Sequence, residues 1–171
     1  EPRRVHPGGT LAASVLGFTD LDGNGIQGVE SSWQSVLAGK DGSTTGLFDH
    51  GGRRIPTDGS RTTAPVPGTS VQLTIDRDLQ WYAQSVLAQE VKATGAKNGT
   101  VVVEDVRTGQ VLALATAPSF DPDHRVGVQL DDLGNPAVNE VYEPGSVNKV
   151  ISAAAALQAG VVTPNTVITV P

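Results

Sequence analysis

The strongest chemical pairing in the sequence lies in "YEPGSVNKVISAAAALQAG", Tyr142 to Gly160, where Ser146 stands three residues before Lys149. A serine hydroxyl attacks a carbonyl only when a nearby base takes its proton. Residues three apart on a helix share a face, which brings the Lys149 amine within reach of the Ser146 oxygen. An amine accepts a proton only when uncharged, and burial and the positive end of a helix both disfavour an ammonium. The expectation is therefore a buried helix opening at Pro144-Gly145-Ser146, with Lys149 shielded among Ala153 to Ala156. Its first N–H groups, that of Ser146 included, would face developing negative charge as half of an oxyanion hole. Ser-x-x-Lys alone is a weak signal, because an N-cap serine followed by a solvated lysine reads the same. Its weight comes from the Pro-Gly before it and the apolar, alanine-rich stretch after it.

Other residues carry less. "DLDGNGIQGVES", Asp20 to Ser31, starts like a calcium loop with Asp20, Asp22, Asn24 and Gly25 in register. The match breaks where a bidentate Glu is required, because Glu30 falls one residue early. A turn is the better reading. His6, His50 and His124 have no close sequence partner, so they read as solvated loop histidines, with no metal site and no cofactor. Asp121, Asp123, Asp131 and Asp132 read as solvated loop carboxylates. Glu143 reads as an exposed loop charge. Trp33 and Trp81 lie on apolar stretches and are expected to pack.

The elements that must position Ser146 follow from the hydrophobic pattern. "SVQLTI" alternates and predicts a strand. Asp76 caps a helix whose apolar face is Leu79, Ala83, Val86, Leu87 and Val91, and Gly95 ends it. Thr100 to Ala117 predicts a β-hairpin around "RTGQ". A long polar loop from "PSFDPD" to about Tyr142 leads into the serine helix, which stops at Gly160. Before all this, residues 1–67 are rich in Gly, Ser, Thr and Pro and predict short strands and turns with one or two brief helices. "TDGSRTTAPVPG" closes that half as a connector.

Bulk properties narrow the classes. The 171 residues, 38% hydrophobic, suffice for one ordinary domain or two small ones. A net charge of −6, with dispersed Lys and Arg, argues against a nucleic-acid partner. There is no cysteine, hence no disulfide framework. The most apolar run, Val150 to Val162, is too short to span a bilayer. "EPRRVHPGG" lacks the apolar core of a signal peptide. With no methionine anywhere, the chain reads as an internal piece of a longer one.

The segments in order resemble a class B penicillin-binding protein, particularly the actinobacterial cell-division type. "EPGSVNK" resembles that family's PGS-x-x-K, "VQLTIDRDLQ" its transpeptidase-domain opening, and "GTVVVEDVRTGQVLALATAPSFDP" its hairpin and following turn. "RVHPGGTLAASVLGF" resembles its Arg-x-Tyr-Pro-x-Gly stretch, and "GIQGVE" its Gly-x-x-Gly-x-Glu segment. The resemblance implies an α+β fold. A β-rich pedestal or dimerisation-type segment, 1–67, would precede the N-terminal part of a serine β-lactamase-like transpeptidase domain, 68–171. It implies acylation of Ser146 by peptidoglycan stem peptides or β-lactams, with Lys149 as proton acceptor. A membrane glycosyltransferase and other division proteins would be partners, and the location would be the extracytoplasmic face of the cell membrane, with an N-terminal anchor absent here. His6 stands where the family has tyrosine, and Val147-Asn148 where it commonly has Thr-Phe. The family's Ser-x-Asn and Lys-Thr-Gly elements follow the serine helix, and no such pair follows Lys149, so these residues alone are expected not to turn over. The alternatives are a non-catalytic interaction module of a wall-synthesis complex and a calcium-binding extracellular domain.

Overall fold

The structure is a computed structural model that describes residues 4–55, 61–128 and 133–169. The chain divides into two compact units, Glu1–Asn139 and Glu140–Pro171.

The first unit is organised around one helix and one hairpin. Helix α4, Arg77–Thr94, starts where the Asp76 carboxylate accepts from the Leu79 N–H at 2.8 Å and ends at Gly95 in the left-handed conformation. Both ends fall where the sequence placed them. Asp76→Ala should cost about 1 kcal/mol and lower the thermal midpoint by about 3 °C, a shift that a circular-dichroism melt resolves.

Strands β5, Gly99–Glu104, and β6, Val111–Ala117, pair antiparallel, with an irregularity between Val103 and Glu104. Asp105 shapes the connecting turn: its carboxylate accepts from Arg107 N–H and its carbonyl from Gly109 N–H. The hairpin is as expected. Ala83 of α4 meets Ala113 and Ala115 of β6, and Leu79, Leu87, Val101 and Val103 close around them. These small side chains let helix and sheet approach closely. Gly99 belongs to the same contact, since a Cβ there would sit 2.9 Å from Leu87 and Val91 side-chain atoms.

Several expectations change. Val86 is 40% exposed, because the buried stripe of α4 runs through Leu79, Ala83, Leu87 and Val91, and Val86 falls beside it. "SVQLTI" forms no strand: Thr74 Oγ1 donates to Val111 O, and just after it Asp76 N–H donates to Leu112 O. The place of a strand partner along β6 is taken by Gln80. Its side-chain amide donates to Leu114 O (3.0 Å) and accepts from Leu114 N–H (2.8 Å), and the residue is only 1% exposed. The loop after β6 contains a short helix, Pro136–Asn139, which Asn135 caps through Ala137 N–H. Asn-Pro at that position is a legible start signal. Trp33 and Trp81 are both exposed, Trp81 at 63%.

The first sixty-odd residues hold three one-turn helices, α1 (Ala13–Leu16), α2 (Gly28–Ser32) and α3 (Gln34–Leu37), beside strands β1 (Ser43–Thr45), β2 (Leu47–Phe48), β3 (Arg54–Ile55) and β4 (Arg61–Thr63). β1 pairs with β4 and β2 with β3. Gly17 and Gly28 allow α1 and α2 to cross: a Cβ on Gly17 would stand 1.8 Å from Gln27 O, and φ there is +77°. Residues 57–60 of the expected connector lie outside the described residues. From residue 61 onward it is not a free linker, because β4 pairs with β1, Val66 bridges Lys40, and Thr69 N–H donates to Val36 O.

Candidate active site

Ser146 lies in the second unit. Pro144 has φ −71° and Gly145 turns left-handed at φ +54°, a conformation that a side chain would oppose. That pair swings the chain into a one-turn 3₁₀ helix, Gly145–Asn148, and the α-helix proper begins at Lys149 and runs to Gln158. The α-helix thus starts three residues later than expected. The 3₁₀ turn suits the pair, because residues i and i+3 eclipse at three residues per turn and Ser146 and Lys149 share one face. Lys149 N–H donates to the Ser146 and Val147 carbonyls, which ties the two residues through the backbone.

The serine does not act as a cap. Neither the 3₁₀ turn nor the α-helix has a side-chain cap hydrogen bond. Ser146 Oγ has no hydrogen bond, and Lys149 no ion pair, among the described residues. The hydroxyl is therefore uncommitted.

Burial is the point on which the sequence expectation fails. Ser146, Lys149 and Ala153 to Ala155 are all exposed, and Val150, Ile151 and Leu157 show 69%, 68% and 46% of their surface. The reason is size: the unit Glu140–Pro171 holds a single ten-residue helix, too little chain to enclose a core of its own.

The other candidate residues resolve differently. Asp20 closes its own turn: one oxygen accepts from Asp22 and Asn24 N–H and the other from the Asn24 side chain, and these bonds, the Asn24 side chain foremost, hold its carboxyl below the ordinary value. Those bonds close a tight Asx-type turn, which is the reading the sequence favoured. Neither His6 nor His124 stands alone, although His124 is solvated as expected. His6 Nδ1 lies 2.7 Å from Asp123 Oδ1 with the ring largely buried, and His124 Nδ1 lies 2.9 Å from Asp121 Oδ2. The hydrogen bond with His124 keeps the Asp121 carboxyl below its usual range, and the same bond raises His124. Asp131 and Asp132 lie outside the described residues. Glu143 is exposed, as expected.

These histidine pairs belong to a wider seam that sequence spacing could not reveal. Phe18 meets Phe120 edge-on at 5.9 Å, Arg125 stacks over Phe18 at 4.0 Å and donates to Thr19 O, and the Ser14 and Thr116 hydroxyls bond at 2.8 Å in the interior. Arg4 of "RVHPGG" pairs with Glu30 of "GIQGVE". Two segments singled out for separate resemblances thus meet in space.

Comparison with known proteins bears on residues 99–171, which match the family described as "Penicillin binding protein transpeptidase domain". The match begins at β5 and contains both Ser146 and Lys149. Over 98% of the chain the sequence is 45% identical to penicillin-binding protein PbpB of Mycolicibacterium smegmatis, and over its whole length 37% identical to peptidoglycan D,D-transpeptidase FtsI of Escherichia coli. The crystal structure of penicillin binding protein 3 from Mycobacterium tuberculosis complexed with aztreonam matches 99% of the chain with a TM-score of 0.78 and 42% identity, and the chain covers 34% of it. The resemblance to class B penicillin-binding proteins and the mixed helix-and-strand fold are thereby borne out. The chain spans about a quarter of the length of these curated relatives. No helix among the described residues is long and apolar enough to cross a membrane.

Proposed function

We infer that the chain supplies the nucleophile and the preceding pedestal of a peptidoglycan D,D-transpeptidase. The observation that carries this reading is a Pro-Gly-Ser-x-x-Lys turn, with an uncommitted serine hydroxyl, inside the segment that matches the transpeptidase family. Residues 1–67 act as the pedestal and 68–171 as the first part of the transpeptidase domain, at the outer face of the cell membrane beside a glycosyltransferase and other division proteins.

In the reaction, Ser146 Oγ attacks the carbonyl between the two terminal D-alanines of a stem peptide while Lys149 Nζ takes the hydroxyl proton. Negative charge gathers on the carbonyl oxygen, where N–H donors at the start of the 3₁₀ turn stabilise it. The C–N bond breaks, the departing D-alanine amine takes the proton from Lys149, and an ester to Ser146 remains. An amine on a second strand then attacks that ester. The new amide forms, the Ser146 oxygen leaves, and a proton returns to it. A β-lactam follows the first half, opening its ring onto Ser146.

A hybrid in which these 171 residues replace the matching segment of the Mycolicibacterium smegmatis relative tests the reading. It should release D-alanine from a D-Ala-D-Ala peptide, and Ser146→Ala should abolish release without shifting the thermal midpoint. Equal release by the Ala variant rules Ser146 out. The 171 residues by themselves should show no rapid stoichiometric labelling by fluorescent penicillin, because Ser146 and Lys149 both lie open to solvent and not in an enclosed, water-poor site.

A further inference from the structure

The first unit contains a cleft lined by its own residues. It has a volume of about 410 Å³ and lies between the N-terminal segment, α4 and the end of β6. That size falls in the range of small-ligand sites. Trp81 lines it and leaves 63% of its surface in water, against the ordinary tendency of an indole to bury. Leu11 adds apolar surface, and Thr10, Gln84, Ser85 and Ser119 add polar groups.

The polar groups are held in place. Gln84 accepts from Ala12 N–H and donates to Thr10 O, Ser119 donates its hydroxyl proton to the same carbonyl, and Ser85 donates to Trp81 O. Each arrangement leaves capacity unused: the second amide N–H of Gln84, and lone pairs on both serine oxygens. The Thr10 hydroxyl has no partner among the described residues. Among the described residues, none that lines the cleft is charged.

An aromatic plane, several fixed neutral donors and acceptors, and no charge suit a ring with one apolar face and a hydroxyl-rich edge. Anions and cations would lose hydration there without gaining a counter-charge. We propose that this cleft binds a neutral saccharide, the sugar backbone of a peptidoglycan strand, with one pyranose ring on Trp81 and its hydroxyl or acetamido groups on Thr10, Gln84 and the two serines. The choice of a wall glycan as the source rests on the transpeptidase reading; the saccharide chemistry rests on the cleft.

The test uses the full 171-residue chain and a peptide-free N-acetylglucosamine tetramer. The chain has two tryptophans, so a Trp33→Phe variant makes Trp81 the sole indole reporter. The tetramer should change its fluorescence saturably, and amide shifts in a ¹⁵N spectrum should cluster at residues 8–11, 81–88 and 116–119. By calorimetry, Trp81→Ala should weaken binding at least tenfold and Trp81→Phe by less. No saturable response, undiminished binding by Trp81→Ala, or a response to an apolar or stem peptide instead of the sugar would overturn the proposal. Equal affinity for the free monosaccharide would overturn the assignment to a strand. In the hybrid, Trp81→Ala should leave penicillin acylation unchanged. Sugar binding without any acylation contradicts the transpeptidase reading alone, and acylation without sugar binding contradicts the saccharide site alone.

Discussion

Lys149→Arg and Lys149→Met, each placed in the hybrid, should slow acylation by penicillin about 10³-fold, close to 4 kcal/mol of barrier. Arginine is the informative change. It keeps the positive charge and much of the reach but does not release its proton in a protein, so it cannot accept one from Ser146. If Lys149 served only as a fixed charge, arginine would retain most of the rate. In the 171 residues alone stability should hardly move, because Lys149 is exposed there and has no ion pair among the described residues. A stopped-flow acylation rate for Lys149→Arg within tenfold of the parent removes Lys149 as the base.

Gln80→Leu should destabilise the first unit by about 3 kcal/mol, a large share of a net stability of roughly 5–15 kcal/mol. The substitution preserves bulk and removes both hydrogen bonds to Leu114. Leu114 N–H and C=O then lose their partners in a part-buried setting, at about 1–3 kcal/mol each when left unmade. Gln80→Glu should fare little better, since it keeps an acceptor for Leu114 N–H but presents an oxygen to Leu114 O and brings a charge inside. Urea midpoints measure the loss, and hydrogen exchange at Leu114 locates it. A change below 1 kcal/mol for Gln80→Leu would mean that water replaces the amide without cost.

What could be read from the sequence was local. Asp76 and Gly95 end α4 because capping needs only the neighbouring backbone, and the hairpin closes because Asp105 and Gly109 satisfy its turn from within. Pro144-Gly145-Ser146-x-x-Lys149 was legible for the same reason: its spacing alone places serine and lysine on one face. Readings that depended on a distant partner failed. "SVQLTI" has strand composition, but the edge of β6 is met by a glutamine side chain from the next element, and β propensity does not say which partner takes an edge. Trp81 and Val86 sit on an apolar helix yet face outward, because α4 buries only the narrow stripe that the alanines of β6 receive. His6 and Asp123 are separated by more than a hundred residues, so no spacing rule could pair them.

The burial of the serine helix was the most consequential misreading. Alanine-rich composition predicts a helix that others pack against, but whether anything does depends on chain outside its own unit. In these 171 residues the 3₁₀ turn preserves the shared face of Ser146 and Lys149 while leaving both in water. Desolvation of the amine is thus the ingredient that the hybrid must restore.

Peptide mapping of the hybrid by mass spectrometry after brief exposure to ampicillin is the most direct measurement. One ring-opened adduct should appear, on the peptide containing Ser146, and fragmentation should assign it to that oxygen. An adduct on another serine, or an intact hybrid that binds ampicillin with Ser146 unmodified, contradicts the role given to this hydroxyl.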